Sequence, residues 1–233
     1  MGNILLKYLE ERHKKSTQKV EKLKSVGPVI TISRDFGCPA NICATDLAEL
    51  LTKIEGEEKG KEPWRVISKE ILDEAAKELG LTPEKIEYIF KFEKRSAIDE
   101  ILEAVSSKYY KSERKIRKTI GEIIHAFGEH GRVIIVGRAG ATILQDIENS
   151  LHVKLIAPLD YRVDGVSRRH KISHNEAKKL TLDMDKKRAM LRRDFAGKNI
   201  SDVDYDLIFN CRTISSEEVV QLIAKTAEMR KMV

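Results

Sequence analysis

The chain has 233 residues, 41% hydrophobic and 34% charged, a composition ordinary for a globular protein that buries a core. The formal net charge is +6 and only 6% of residues are aromatic, which is poor material for stacking the bases of single-stranded nucleic acid. No run of about 18 uncharged apolar residues occurs, so the sequence predicts neither a membrane span nor a secretory signal, and we expect a cytoplasmic protein.

The first predicted element is a charged helix over residues 4–23. Its apolar stripe is narrow and lies in a background rich in lysine and glutamate: Leu5, Leu6, Leu9, Val20 and Leu23. We expect an N-terminal extension, residues 1–26, that precedes the main domain. Whether this helix packs on that domain or joins a second copy of the chain stays open.

A strand, a glycine-marked turn and a helix follow over residues 29–54. The run VITI at residues 29–32 is β-branched, as in strands buried on both faces of a parallel sheet. The helix, over residues 40–54, has apolar residues at helical spacing. This order is typical of a phosphate-binding loop, in which backbone N–H groups and the positive helix end hold the anion. A plain strand-to-helix turn would have the same pattern.

The middle of the chain is predicted to be mainly helical. A short strand over residues 64–67 leads to a helix over residues 69–79, which Gly80 ends. From residue 82 to about residue 130 the pattern indicates highly charged helices, with a break near residues 106–107 and no strand.

Three further strands alternate with helices in the second half. The strands are predicted over residues 132–136, 153–158 and 205–210, and Asp160 is expected to cap the helix after the second of them. Three more helices are expected, over residues 173–179, 183–195 and 215–229. Capping patterns mark the start of two of them, Ser173 with Glu176 and Ser215 with Glu218. This alternation predicts an α/β fold with a parallel sheet flanked by helices, whose binding sites lie at the carboxyl ends of the strands.

Arginines recur at helical spacing in the segment DKKRAMLRRDF, residues 185–195. Arg188 and Arg192 lie one turn apart and present guanidinium groups on one face. Phosphoryl transfer needs positive groups of this kind around the moving charge. A solvated basic face would show the same spacing, so both interpretations remain open at this point.

Cysteine and histidine spacing indicates no metal site. Cys38, Cys43 and Cys211 form no CxxC pair and are odd in number, which disfavours both a disulfide framework and a zinc knuckle. His125 and His130 lie five residues apart, so they do not share one face of a helix. We expect reduced thiols and no protein-bound metal.

Five motifs occur in a fixed order: ITISRDFG followed by a helix, VIIVGRAGATIL, KLIAPLDYRV, DKKRAMLRRDF and YDLIFNCRTISSEEV. Together, over residues 29–223, they resemble the cytidylate kinase-like proteins, relatives of bacterial cytidylate kinase within the P-loop kinases. The resemblance implies a three-layer P-loop NTPase-type sheet in a domain of residues 27–233. A helical insert at about residues 69–130 and a lid region at about residues 160–195 would belong to this domain.

The resemblance also implies an activity, the transfer of the γ-phosphoryl group of ATP to CMP or dCMP with Mg²⁺. Its partners would be small-molecule nucleotides, with no nucleic acid and no membrane, and assembly into a homo-oligomer stays open. Its phosphate loop would be Ser33, Arg34, Gly37, Cys38, Asn41 and Ile42. The acceptor would be held by Arg138, Arg188 and Asp194, the lid would supply Arg162, Arg168 and Arg169, and the expected catalytic groups are Arg34, Arg168 and Arg192.

The loop sequence GCPANIC departs from the pattern that active relatives share. It has no lysine followed by Ser or Thr as in G-x-x-x-x-G-K-[ST], and it lacks the glycine pair and basic residue common in the family. Pro39 has no N–H to donate, and Ser68 stands near where relatives often carry an aspartate. Loss of one such donor costs about 10²–10³ in rate. The alternative is therefore a catalytically impaired nucleotide-binding relative that acts as a regulatory or partner-binding module.

Overall fold

The structure, a computed structural model, describes residues 27–56, 62–68, 70–80, 82 and 113–233. The predicted N-terminal helix, and the predicted helices and break between residues 83 and 112, lie outside the described residues. Within these ranges no helix is both long enough and apolar enough to cross a bilayer.

Five parallel strands form one sheet at the centre of the molecule. They are β1 (Val29–Arg34), β2 (Arg65–Ile67), β3 (Val133–Val136), β4 (Ser150–Ile156) and β5 (Leu207–Asn210), in the order β2-β3-β1-β4-β5. β1 is the middle strand, and its first five residues are buried because helices cover both faces of the sheet. The predicted α/β class with a parallel sheet is confirmed.

Seven helices are described: α1 (Ala40–Glu55), α2 (Glu70–Leu79), α3 (Glu113–His130), α4 (Gly140–Ile143), α5 (Leu159–His170), α6 (His174–Ala196) and α7 (Ser216–Met229). A 3₁₀ turn, Asp202–Asp204, precedes β5. The predicted helices at the positions of α1, α2 and α7 are confirmed, and so are the capping boxes that open α6 and α7.

Successive residues of β1 face opposite helical layers. Ile30 and Ile32 pack into a core with α1 and α7, whereas Val29 packs into a second core with α2 and α3. This alternation follows from the two-residue period of a strand, and it makes the molecule three layers thick.

A third, smaller core joins α5 to α6. Val163, Val166 and Ala177 are fully buried there, and the loop residue Phe36 packs against them from the carboxyl end of β1. The pair of helices therefore sits directly on the segment that the sequence identifies as the phosphate loop.

Several predicted element boundaries were wrong, among them the start of β5, which was expected at residue 205 and lies at Leu207. The two helices expected over residues 173–179 and 183–195 are one continuous helix, α6, because Thr181 is buried and its hydroxyl donates to the Ala177 carbonyl at 2.7 Å inside the helix. Asp160 does not cap α5, since the helix starts one residue earlier, after Pro158, and Asp160 lies in its first turn. β4 begins at Ser150 because pairing with β1 extends it.

Candidate functional site

Four arginines converge at the carboxyl ends of β1 and β3; we call Arg34, Arg138, Arg188 and Arg192 the arginine cluster. Arg34 is the last residue of β1, Arg138 follows β3 by two residues, and α6 supplies the other two one turn apart. Burial lowers the pKa of Arg34, and the charges of the other three lower it further, to about 9. The predicted phosphate-binding arginines therefore share one electrostatic field.

Arg34 is the member of the cluster with the least compensation. Its guanidinium lies so close to Gly137 that a Cβ at that glycine would sit 1.7 Å from Arg34 Nη1. No carboxylate among the described residues lies within ion-pair distance of it, although several other arginines of the chain have one. A largely buried, unpaired guanidinium is unfavourable, so an anion bound beside it would be strongly stabilised.

Arg138 stands in a strained turn. Gly137, Arg138 and Ala139 all have left-handed backbones, with φ of 71°, 53° and 57°. For a residue with a side chain this conformation costs about 1 kcal/mol, and such strain is concentrated at functional sites. The turn leads from β3 directly into α4, and Arg138 Nε donates to the Ser68 carbonyl at 3.3 Å.

Arg188 joins α6 to the loop. Its Nη1 donates to the Arg34 carbonyl at 3.2 Å, and its guanidinium lies over the Phe36 ring, 5.2 Å from the centroid. Burial lowers the pKa of Arg188 and the charge of Arg192 adds to this, whereas Asp185 acts in the opposite direction. Arg188 is thus held at the site by contacts that need no ligand.

Most of the loop amides donate within the protein. Four N–H groups between residues 35 and 40 have internal acceptors, and Pro39 has no N–H. The pairs are Asp35 to the Leu155 carbonyl at 2.9 Å, Phe36 to Asp185 Oδ1 at 2.7 Å, Cys38 to the Asp35 carbonyl at 3.3 Å, and Ala40 to the Cys38 carbonyl at 3.0 Å.

The amides of Gly37, Asn41 and Ile42 differ, because nothing in the described part of the chain accepts from them. The last two belong to the first turn of α1, where N–H groups point out of the helix end. Gly37 has φ of 101°, and a Cβ there would meet the Cβ of Arg162 at 3.1 Å, so this position needs glycine. The amides of these three predicted loop residues therefore have no acceptor among the described residues.

Arg162, predicted to be a lid residue, is only 8% exposed and holds the loop in place. Its Nε donates to the Ala157 carbonyl at 2.9 Å, and its Nη1 donates to the Phe36 carbonyl at 3.0 Å and to Asp185 Oδ2 at 2.6 Å. Asp185 in turn accepts the Phe36 amide. These contacts fasten α5 and α6 to the loop.

Other predicted site residues are not members of the cluster. Arg168 and Arg169 are exposed in the last turn of α5, where Arg168 Nε donates to the Asp164 carbonyl at 3.3 Å. Asp194 accepts from Arg117 of α3 at 2.6 Å. Ser33 is buried within β1. The cluster therefore contains only part of the predicted site.

Cys38 and Asp35 both contribute to the chemistry of the loop. A hydrogen bond with Cys211 and burial raise the pKa of the Cys38 thiol, which makes it a poor nucleophile at neutral pH. Burial also raises the pKa of Asp35, against the opposing charge of Arg162.

Across the described ranges no three His, Cys, Asp or Glu side chains are grouped as a metal site.

Positive charge is concentrated in α5 and α6. Residues 159–196 hold eleven Lys and Arg but six Asp and Glu, so this segment accounts for five of the six net positive charges of the chain. A positive electrostatic field beside the arginine cluster attracts anionic ligands towards it.

Asp185 was missed by sequence reasoning. The segment 185–195 has five basic residues and two acids, so its pattern indicates a basic helix face and gives Asp185 no special role. The available signal was its position three residues before Arg188, on the same helix face. The partner that makes Asp185 important, the Phe36 amide, lies 149 residues away, so no local pattern contains it.

The model of the cytidylate kinase-like family matches residues 29–213, which is most of the chain. Among curated proteins, a uronate isomerase from Corynebacterium glutamicum is 28% identical over 124 residues, and the match covers 53% of this chain. The chain spans about a quarter of that relative's length, 24%.

One solved structure shares the fold of this chain, and others are similar to it over most of their length. An uncharacterised protein from Eubacterium ventriosum superposes with a TM-score of 0.61 at 20% identity, over 86% of this chain and 98% of that chain. A shikimate kinase from Bacteroides thetaiotaomicron gives a TM-score of 0.48 at 14% identity, over 86% and 98% of the two chains.

Proposed function

Because the chain belongs to the cytidylate kinase-like family, we propose that it is a small-molecule kinase, which transfers the γ-phosphoryl group of ATP to CMP, dCMP or a related acceptor. The observation that carries the proposal is the arginine cluster, in which Arg34 is buried beside three other positive charges and has no counter-charge among the described residues. A phosphorylated ligand would supply that charge and would match the forked geometry of guanidinium groups.

The cluster divides into two roles in this proposal. Arg138 and Arg188 hold the acceptor phosphate, because both belong to the cluster and are fixed by contacts to backbone carbonyls. Arg34 and Arg192 stabilise the negative charge of the group in transfer. Arg168 and Arg169 would join them only if α5 moved towards the cleft, and Asp194 would reach an acceptor only by leaving Arg117.

ATP would be bound on the α1 side of the cleft. The amides of Gly37, Asn41 and Ile42 fit phosphate oxygens, because they have no acceptor among the described residues and two of them open a helix. Mg²⁺ usually binds one or two carboxylates together with substrate phosphates, and Asp35 in the loop is the side chain that suits this. Bound Mg²⁺ would neutralise phosphate charge during transfer.

A second candidate is a nucleotide-binding relative without kinase activity. The observation that favours it is the state of the loop, where four amides donate within the protein and Pro39 donates nothing. Such a module would bind a nucleotide through the arginine cluster and would act through a partner.

The test combines turnover with binding. Phosphoryl transfer is assayed with ATP and Mg²⁺ across the common nucleoside monophosphates, and binding of the same nucleotides is measured by calorimetry. Turnover supports the kinase, binding without turnover supports the second candidate, and the absence of both rejects the two together.

The role of Arg138 is tested by the variant Arg138→Ala. We expect this variant to lose monophosphate binding, with Arg169→Ala as the control, since Arg169 is an exposed arginine outside the cluster. Unchanged affinity of Arg138→Ala would refute the assignment of Arg138 to the acceptor.

A further inference from the structure

The carboxylate of Asp185 binds one amide of the loop and one buried arginine beside it. Its Oδ1 accepts the Phe36 amide at 2.7 Å, and its Oδ2 accepts from Arg162 Nη1 at 2.6 Å. Backbone N–H groups and guanidinium groups also bind phosphate oxygens. In this structure Asp185 already accepts hydrogen bonds from both groups.

Asp185 is a charged acceptor, whereas the other engaged loop amides donate to neutral carbonyl groups. Its charge also reaches the arginine cluster, because Asp185 is the first opposing charge that acts on Arg188. The side chain is 26% exposed, so it is accessible to solvent and does not lie in the core.

We propose that Asp185 is a built-in competitor for the anion site. Its carboxylate occupies the Phe36 amide and Arg162 while α6 is docked, and a ligand phosphate binds fully only when it displaces that carboxylate. Asp185 therefore sets the affinity of the site for phosphate groups. This inference rests on the proposed function, since it assumes that the ligand carries phosphate.

The test measures inorganic pyrophosphate binding by isothermal titration calorimetry, in the full chain and without metal. Asp185→Asn keeps the shape and removes the negative charge, so the competitor is weakened and we expect a dissociation constant about tenfold lower than that of the wild type. A residue that merely held the site together would produce the opposite sign, weaker binding.

Asp183→Asn is the matched control. Asp183 lies on the same helix, its side chain is 52% exposed, and it pairs with Lys187 at 2.9 Å on the surface. The variant makes the same change in net charge but leaves the loop contacts intact, so we expect its affinity to stay within about twofold of the wild type. Any general effect of charge on pyrophosphate binding appears in both variants and is subtracted.

Asp185→Glu is the second variant, which retains the charge and is expected to bind pyrophosphate like the wild type. Thermal melting of every variant shows whether it is folded. If the wild type binds pyrophosphate and Asp185→Asn binds it no more tightly, the competition is refuted and the proposed function stands. If the wild type and all variants fail to bind pyrophosphate, ATP and monophosphates, the proposed function falls and this inference falls with it.

Discussion

The arginine cluster and the phosphate loop are neighbours at the end of β1, yet their interactions differ. In the cluster, Arg34 has positive neighbours and no carboxylate to pair with among the described residues. In the loop, four N–H groups already have acceptors supplied by the chain. The arginine cluster can thus accept an anion directly, whereas the loop must exchange internal hydrogen bonds for ligand contacts. The difference teaches that strong positive charge and amides already engaged by the protein can occur side by side at the end of one strand.

Replacement of Arg34 by Met should change ligand affinity more than any other variant, because it removes a charge from the cluster side. The variant removes the most buried charge of the cluster while retaining side-chain length, so we expect affinity for a monophosphate to fall about 100-fold by calorimetry. Arg193→Met is the control, because Arg193 is an exposed neighbour of the cluster on α6. Equal losses in the two variants would mean that net charge, and not the cluster, determines binding.

The same variant should be more stable than the wild type at neutral pH. The pKa of Arg34 is lowered to about 9 in the folded chain, so its charge destabilises the fold below that pH. Between pH 9 and the higher unfolded value the unfolded chain binds more protons, and the stability of the wild type rises with pH. The excess melting temperature of Arg34→Met should therefore shrink between pH 7 and pH 10. A constant difference would contradict the burial of an unpaired charge.

Gly137→Ala should have an intermediate effect, because it displaces Arg34 without removing it. The added Cβ would lie 1.7 Å from Arg34 Nη1, so the end of that side chain must move, and we expect about tenfold weaker monophosphate binding. The left-handed backbone should add a loss of about 1 kcal/mol in stability. Gly56→Ala separates the two effects, since Gly56 has φ of 70° and open space around its Cα. Gly56→Ala should lose stability but keep its affinity for the monophosphate. If Gly137→Ala binds the monophosphate as tightly as the wild type, the position of Arg34 has no role in binding.

Pro39→Ala should have the smallest effect, and it acts on the loop side. The variant restores one N–H at the start of α1 in a backbone that alanine can adopt, with φ of −84°. One extra hydrogen bond is worth about 1 kcal/mol, so we expect ADP to bind about fivefold more tightly by calorimetry. Pro158→Ala, the equivalent position before α5, should leave ADP affinity unchanged. No gain in Pro39→Ala would show that ADP phosphates do not contact this loop.

The parts of the fold that depend on local patterns could be predicted. The buried strand β1 and the amphipathic helix α1 follow from apolar periodicity, and the capping boxes at Ser173 and Ser215 lie within four residues each. The grouping of Arg34, Arg138, Arg188 and Arg192 was suggested by family resemblance, and the topology brings them together.

The parts that depend on distant partners could not be predicted. The continuity of α6 rests on the complete burial of Thr181 and on Ala177, one turn before it, packing against α5, and these are tertiary effects. Arg162 was expected to be a lid group, but its guanidinium donates to Ala157, Phe36 and Asp185. These three acceptors are far from one another in the sequence. Side-chain pairing of this kind is set by the packed fold and leaves no periodic signal.

The single 23-residue helix α6 has mechanical consequences. Near its C-terminal end, Leu191 and Phe195 pack in the core with α3, whereas its N-terminal half packs on α5 and the loop. If α5 and α6 rotate away from the loop, Leu191 is the expected pivot, because it stays packed in the core. Each residue then moves in proportion to its distance from Leu191, which is about 1.5 Å per helical residue. Arg192 would hardly move, whereas Asp185 lies about 9 Å and Ser173 about 27 Å from the pivot. Such a hinge releases the carboxylate from the loop while keeping an arginine in place.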